Sequence, residues 1–388
     1  MTAGAAARTR LGIRIDRFEL GGAFADLGVL VPIAVALIVK NGLQPTAVLL
    51  PAGLLYVAAA LAFRLPIPVQ PLKAFGAIAI AKGLGLDEIA AGALLMGAIF
   101  VTLGASGLID LAARAFPKPI VRGVQATVGL LFLKIAWKLA ADPPKSFDRH
   151  GLSTGWAVAL AFAVLASLAV RRRVPIALVL VGVAAAVMAA TAHRGVSFGP
   201  SSFTFPSLQG ATFWTAFTVL VLPQLPLTFA NSCLATEDAA RTYFGERASR
   251  VRAGRLATSL GLANLLSGAI GGMPVCHGAG GLTAHYSHGA RTAGAPLAIG
   301  GVLVALAVGL GAGLAGLLAA FPLPILAGLI AGAGILHLGL LRDLRRPAHV
   351  ALALGIGVLG FETNLAWALG AALVLWWGAV ALRRLAGR

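Results

Sequence analysis

Pro66-Ile67-Pro68-Val69-Gln70-Pro71-Leu72-Lys73-Ala74-Phe75 and Gly271-Gly272-Met273-Pro274-Val275-Cys276-His277-Gly278-Ala279-Gly280-Gly281 are two proline-centred interruptions in otherwise membrane-length apolar sequence. They lie roughly half the chain apart, and each precedes a short helix-compatible stretch. Backbone polar groups cannot be left unpaired in lipid, so such breaks persist only where protein or a water-filled cavity surrounds them. A matched pair of broken helices in two halves of a chain points to a transporter's substrate site.

The rest of the sequence sets the breaks in a membrane. The 388 residues are 59% hydrophobic and 11% charged, with mean hydropathy +0.91. Repeated apolar stretches of about 20 residues fit a polytopic helical protein, and too little polar sequence remains to cover them as a soluble core. The formal charge of +18 sits in short, mostly alternate loops. That is a topology signal, with juxtamembrane arginine meeting anionic lipid, and it excludes a nucleic-acid partner. Cys233 and Cys276 both fall in apolar segments and offer neither a disulfide framework nor a CxxC metal site. The arginine-rich start has no small-residue cleavage site after a short apolar region, so a retained first helix is expected.

Spans are expected at 20–40, 44–63, 66–82, 87–113, 118–138, 152–170 and 174–193, then at 211–235, 252–271, 274–288, 293–318, 320–341, 347–361 and 364–383. The expected fold class is therefore an all-α polytopic membrane protein of fourteen transmembrane segments. An odd number per half forces the halves to insert in opposite orientation, a seven-plus-seven inverted repeat with half-helices at segments 3 and 10. The organisation is a cytoplasmic segment 1–19, a first repeat 20–193, an outer loop 194–210 and a second repeat 211–383. With the N-terminus inside, 23 basic residues fall on the cytoplasmic side and 7 outside, Lys73 alone lying within the membrane. This topology puts both termini in the cytoplasm and the chain in the inner (plasma) membrane as a multi-pass protein. The mixed-charge segment 237–255 reads as a cytoplasmic amphipathic connector.

Pro71 and Pro274 are suited to open helices, because the first turn needs no backbone donor. A helix start inside the bilayer presents free N–H groups and partial positive charge, a ready anion site. Gln70 can donate through its amide, and Lys73 is a full charge at membrane depth. His277 can donate and can change charge near neutral pH. Gly278, Gly280 and Gly281 let backbone approach a ligand. Lys73 could instead snorkel to an interface. Asp26 fits a proton-coupling carboxylate and equally a helix cap. Gln224, Thr228, Asn231 and Ser232 lie on the eighth segment, where Asn231 and Ser232 either line the site or bond across helices. His277 and His288 on one helix would be about 16 Å apart and cannot share a metal. His285 and His288 are expected at a solvated or lipid-facing cytoplasmic end, so no metal site is expected.

At these residues the chain resembles the molybdate transporter family, a branch related to the sulfate permease (SulP) superfamily. The resemblance rests on Pro68-Val69-Gln70-Pro71-Leu72-Lys73-Ala74 and on Met273-Pro274-Val275-Cys276-His277-Gly278-Ala279-Gly280-Gly281-Leu282, continuing through Tyr286 and Gly289-Ala290-Arg291. It extends to Gly22-Ala23-Phe24-Ala25-Asp26-Leu27-Gly28 and to Gln224-Leu225-Pro226-Leu227-Thr228 with Asn231-Ser232. It implies the inverted-repeat fold shared with uracil permeases, with core and gate subdomains, a site between segments 3 and 10 flanked by 1 and 8, and molybdate uptake without a cytoplasmic STAS domain. Wider relatives place a carboxylate on the eighth segment for ion coupling. Here Asn231 stands at the comparable place, with Glu237 and Asp238 further toward the cytoplasm.

The expected function is a secondary transporter importing molybdate, not an enzyme, and no cofactor is expected. Gln70, Lys73 and the N–H groups near Ala74 would hold one side of the anion. Cys276, His277, Gly278, Gly280 and Gly281 would hold the other, with Asn231 beside them. Asp26 and His277 are the proton-coupling candidates. Tungstate and sulfate are alternative anions, and a general oxyanion carrier or exchanger of the same fold is the nearest rival. A nucleobase permease is disfavoured because residues 273–288 contain no Asp or Glu. An intramembrane metalloenzyme lacks a ligand cluster, and a channel would show no coupled accumulation. Oligomeric state is left open, a homodimer included.

Overall fold

The computed structural model describes residues 13–24, 27–109, 111, 114–142, 145, 147, 176–191 and 197–386. Asp26, the expected span 152–170, and Arg8, Arg10, Arg149, Arg171, Arg172, Arg173, Arg194 and Arg388 lie outside the described residues.

The described chain begins with α1 (Arg17–Ala23), whose start is capped by the Asp16 carboxylate accepting from the N–H groups of Phe18 and Glu19 at 2.9 and 3.0 Å. α2 (Leu27–Val39) and α3 (Pro45–Phe63) lead to the first break, where β1 (Gln70–Pro71) precedes α4 (Lys73–Lys82). α5 (Leu86–Ser106), α6 (Lys118–Ala141) and α7 (Ile176–Thr191) follow. α8 is one long helix, Gly210–Arg250. α9 (Ala253–Ala269) enters the second break, β2 (Val275–Cys276), which opens α10 (Ala279–Ser287). α11 (Gly294–Gly309), α12 (Gly311–Ala319), α13 (Leu323–Asp343), α14 (Pro347–Glu362) and α15 (Leu365–Ala386) complete the fold. Among the described residues, α3, α5, α6, α8, α13 and α15 are each long and apolar enough to cross a bilayer. Eight spans result if the bent pairs α1–α2 and α11–α12 each count as one.

The packing exchanges the two halves. α5, which follows the first break, lies along α9, which precedes the second; α11, which follows the second break, lies along α3, which precedes the first. α13 packs on α6, and α6 also carries α14. Apolar side chains gain little from leaving lipid for protein, so helices associate through close packing of small residues. A Cβ on Gly300 would sit 2.9 Å from the Gly53 carbonyl oxygen, and one on Gly334 would sit 2.8 Å from that of Gly129. The seams α3–α11 and α6–α13 therefore close backbone to backbone. Below the first break, Leu65 and Ile67 join Phe63, Phe244, Val251, Leu256 and Leu282 in a second buried cluster, which wedges the break against α8 and α10.

One expectation is corrected. The span expected at 293–318 is two helices bent by 96°. The reason is local: a Cβ on Gly311 would lie 2.1 Å from Thr46 Oγ1, and the outer segment takes over the freed backbone, Gly199 N–H donating to Gly309 O at 2.8 Å and Ala312 N–H to Gly199 O at 2.9 Å. Thr46 anchors this corner. Its hydroxyl donates to Ala307 O at 2.7 Å and accepts from Ser201 N–H at 2.8 Å. Thr46→Val is expected to cost about 1–3 kcal/mol, by leaving those buried groups unpaired, and to lower the thermal unfolding temperature in detergent.

The connector 237–255 begins as a continuation of α8. Glu237 accepts from Arg241 at 2.5 Å and from Ala253 N–H at 2.6 Å, so one carboxylate joins the end of α8 to the start of α9.

Candidate functional site

The two breaks cross. β1 and β2 pair antiparallel, with Gln70 opposite Cys276 and Pro71 opposite Val275. Leu72 N–H donates to Pro274 O at 3.1 Å, and the Cys276 thiol points at Pro71 O, 3.7 Å away. Prolines leave carbonyls without a helical partner and cannot donate in return. Every such group buried here needs an acceptor or donor from elsewhere.

Side chains supply them. Asn264 on α9, fully buried, clamps the free edge of β2: its amide donates to Val275 O at 2.8 Å and accepts from Val275 N–H at 2.7 Å. His277 Nδ1 bonds Pro68 O at 2.9 Å and its Nε2 bonds the Ser259 hydroxyl at 2.9 Å. His285 Nδ1 bonds Pro66 O at 3.0 Å, with Tyr56 stacked on the ring. A carbonyl only accepts, so each Nδ1 carries the hydrogen. His285 is thus fully buried against the first break; this corrects the expectation of a solvated or lipid-facing end. The short helix α10 runs back along the proline segment, and its histidines pair with carbonyls that Pro66 and Pro68 leave free.

The eighth segment closes the third side. Pro223 and Pro226 each remove a backbone donor from α8, and π-helical turns flank them at Phe217–Val221 and Thr228–Leu234. Gln224, between the prolines, accepts from Phe75 N–H at 3.1 Å and donates to Thr228 Oγ1 at 3.0 Å. The second π-turn carries Asn231 toward the crossing. An ideal Cβ on Gly278 would be 3.2 Å from Asn231 Nδ2 and 2.4 Å from Gln70 Oε1. Lys73 Nζ donates to Gln70 Oε1 at 2.5 Å. Lys73 is half-buried, while Gln70 is buried.

Gln70, Lys73, Ala74, Asn231, Cys276, His277, Gly278, Gly280 and Gly281 therefore gather around one crossing. The N–H groups of Lys73 and Ala74 at the start of α4, and of Ala279, Gly280 and Gly281 at the start of α10, meet no protein acceptor among the described residues. A Cβ on Gly280 would meet nothing within 4 Å, so that turn borders open space. His277 differs in kind from the others: both its ring nitrogens are engaged with protein atoms. Asn264, Ser259 and the tie made by His285 are absent from the sequence reading.

Gly278 has φ −168°, an extended backbone any residue adopts, so its requirement is space. Gly278→Ala is expected to displace the Gln70 amide, the flexible end of a side chain. The protein should unfold at a temperature close to wild type yet bind anion about tenfold more weakly, about 1.4 kcal/mol, as read by titration calorimetry.

A sequence profile described as "Molybdate transporter of MFS superfamily" matches residues 18–132 and 216–336, which contain both breaks, α8 from Ala216 onward and α13 as far as Leu336. The chain belongs to the molybdate transporter family. Molybdate transporter 1 of Arabidopsis thaliana is 30% identical over 368 residues, covering 84% of this chain and 80% of that relative. Molybdate transporter 1 of Chlamydomonas reinhardtii is 30% identical, covering 89% and 88%. Among solved structures, this molybdate-transporter-family chain resembles the transmembrane domain of a cyanobacterium bicarbonate transporter, BicA, with TM-score 0.65 at 18% identity over 92% of this chain and 97% of that one. It also resembles the murine Solute Carrier 26 family member A9 anion transporter in the inward-facing state, with TM-score 0.67 at 15% identity over 95% and 69%. This family member is a mostly helical multi-pass membrane transporter with the fold of those SulP-type proteins.

Proposed function

We propose that the chain is a secondary active transporter that imports molybdate across the inner (plasma) membrane, binding the anion where β1 and β2 cross. The observation that carries this reading is the pair of helix N-termini meeting at the Gln70–Cys276 crossing, with first-turn N–H groups open and Lys73 beside them. Partial positive charge from two helix starts holds a tetrahedral oxyanion. Lys73 and Gln70, with the N–H groups of Lys73 and Ala74, take one side. The N–H groups of Ala279, Gly280 and Gly281 take the other, while Asn231 borders the space over Gly278. Cys276 and His277 shape that side, His277 through its hold on Pro68.

The exchanged packing of α5 with α9 and of α3 with α11 supports a seven-plus-seven inverted repeat of fourteen segments. In it α4 and α10 are half-helices, and both termini face the cytoplasm. Core and gate then move against each other, carrying the site across. Proton coupling belongs to the reading, with Asp26 and His277 as its sequence candidates. His277 can gain a proton without losing a bond, because Ser259 can turn its own hydroxyl hydrogen to Leu256 O at 3.0 Å.

Molybdate uptake into liposomes holding the purified protein tests this. Uptake that saturates, that resists excess sulfate and that accelerates under an inward proton gradient is the expected result. Equal competition by sulfate would make this a general oxyanion carrier, and indifference to the gradient would remove proton coupling. Absence of uptake by folded protein would overturn the assignment.

A further inference from the structure

The two breaks correspond residue by residue. Pro68-Val69 stands five residues before the start of α4 at Lys73, and Pro274-Val275 stands five before the start of α10 at Ala279. Gln70 and Cys276, each two residues past its proline, pair with each other, so a local two-fold axis runs between them. Position for position, Ala74, Ala77 and Ala81 of α4 then correspond to Gly280, Thr283 and Ser287 of α10. Residues at this spacing share one face of a helix.

The two corresponding faces have opposite surroundings. Ala74 and Ala77 are fully buried and Ala81 is half-buried. α4 is covered from Ala74 to Ile80 and packs on α2, α6 and α8. Gly280, Thr283 and Ser287 are exposed, while α10 packs on α1 and α8. The exposed face begins at the open first-turn N–H of Gly280, where a Cβ would meet nothing within 4 Å. It continues through the Thr283 hydroxyl, which Tyr243 of α8 bonds at 3.0 Å, and the Ser287 hydroxyl, which donates to Thr283 O at 2.6 Å. Unpaired backbone donors do not face hydrocarbon, so the space over this face holds water. Beyond Ser287 the chain reaches Arg291, whose carbonyl accepts from Arg247 at 2.7 Å. Arginines gathered there mark the cytoplasmic side.

We infer that this structure is the inward-open state, and that the anion passes between the crossing and the cytoplasm along the Gly280–Thr283–Ser287 face of α10. The matching face of α4 is the outer route, closed here by packing on α6 and α8. Alternating access then exchanges the two environments, covering Thr283 as it uncovers Ala77. Both statements rest on the site and the orientation proposed above.

Cysteine placed at Thr283 and at Ala77 reads the two faces. A charged, membrane-impermeant thiol reagent is added to inside-out and to right-side-out vesicles carrying the full-length protein. Thr283→Cys is expected to label from the cytoplasmic side only and Ala77→Cys from neither side. Wild type, whose Cys233 and Cys276 are buried, should hardly label. Labelled Thr283→Cys should lose its molybdate uptake, while wild type treated in the same way keeps it. The inference is overturned if Thr283→Cys stays unlabelled from the cytoplasmic side, or if Ala77→Cys labels from outside as fast. It is overturned equally if labelled Thr283→Cys transports as before. Labelling of Thr283→Cys from the outer side alone overturns the inference and the proposed orientation together. Absence of molybdate uptake by unlabelled wild type overturns the proposed function and the route with it, whereas labelling still shows which face is open. Ser287→Cys, on the same face, decides the question if Thr283→Cys does not fold.

Discussion

Lys73→Ala is expected to weaken molybdate binding about 10- to 100-fold, the loss of one charge-assisted hydrogen bond in a poorly solvated site. Its effect on stability should have the opposite character. Lys73 is half-buried and its partner is the neutral Gln70 amide, at 2.5 Å, so removal strands no opposite charge. A cation held at membrane depth is costly to the folded protein, so the variant should unfold at or above the wild-type temperature. A snorkelling lysine with a packing role would give the reverse pattern, lower stability and unchanged affinity. Titration calorimetry and thermal unfolding on the same preparations separate the two, with Lys73→Arg as the variant that keeps charge but changes shape.

Asn264→Leu is expected to damage the fold itself. The asparagine amide completes both backbone groups of Val275, at 2.8 and 2.7 Å, in a fully buried position. Leucine has nearly the same volume and would leave one N–H and one C=O unpaired, at about 1–3 kcal/mol each. A loss of about 2–6 kcal/mol on that basis is comparable with the whole stability of many domains. The expected outcome is poor yield of monodisperse protein, or a steep fall in unfolding temperature. Wild-type stability in Asn264→Leu would show that β2 is held by its pairing with β1 alone.

The legible part of this fold is the part written in local chemistry. Proline at 66, 68, 71 and 274 cannot donate, so the two breaks are visible as breaks, and the helices starting at Lys73 and Ala279 follow from them. Long apolar runs place α3, α6, α13, α14 and α15 within a few residues of their expected ends, and α5 starts at its expected place but ends at Ser106 rather than 113. The bend between α11 and α12 has a local trace in Gly309-Leu310-Gly311, but its cause is contact with Thr46 and Ser201, far away in sequence. The mixed charges of 237–255 mark it as amphipathic, and Glu237 and Arg241, one helical turn apart, pair as the helix of α8 runs on into it.

The site divides in the same way. Gln70, Lys73 and the glycines are named by their neighbours in sequence. Asn264, Ser259 and His285 are not, because each acts on backbone or a ring supplied by another segment. His285 reads from sequence as part of a solvated or lipid-facing end, yet the carbonyl of Pro66, 219 residues away in sequence, accepts its hydrogen bond. Gln224 was visible as a polar residue in an apolar helix. Its role, bonding Phe75 N–H at the third residue of α4, narrows the open donors there to Lys73 and Ala74.

The most direct test of the central claim is the anomalous scattering of molybdenum from crystals of the protein grown with molybdate. The account predicts one strong peak at the crossing of β1 and β2, within hydrogen-bonding reach of the first-turn N–H groups of both α4 and α10 and of Lys73 Nζ. A peak elsewhere, with that crossing empty while the protein is saturated with molybdate, would contradict it.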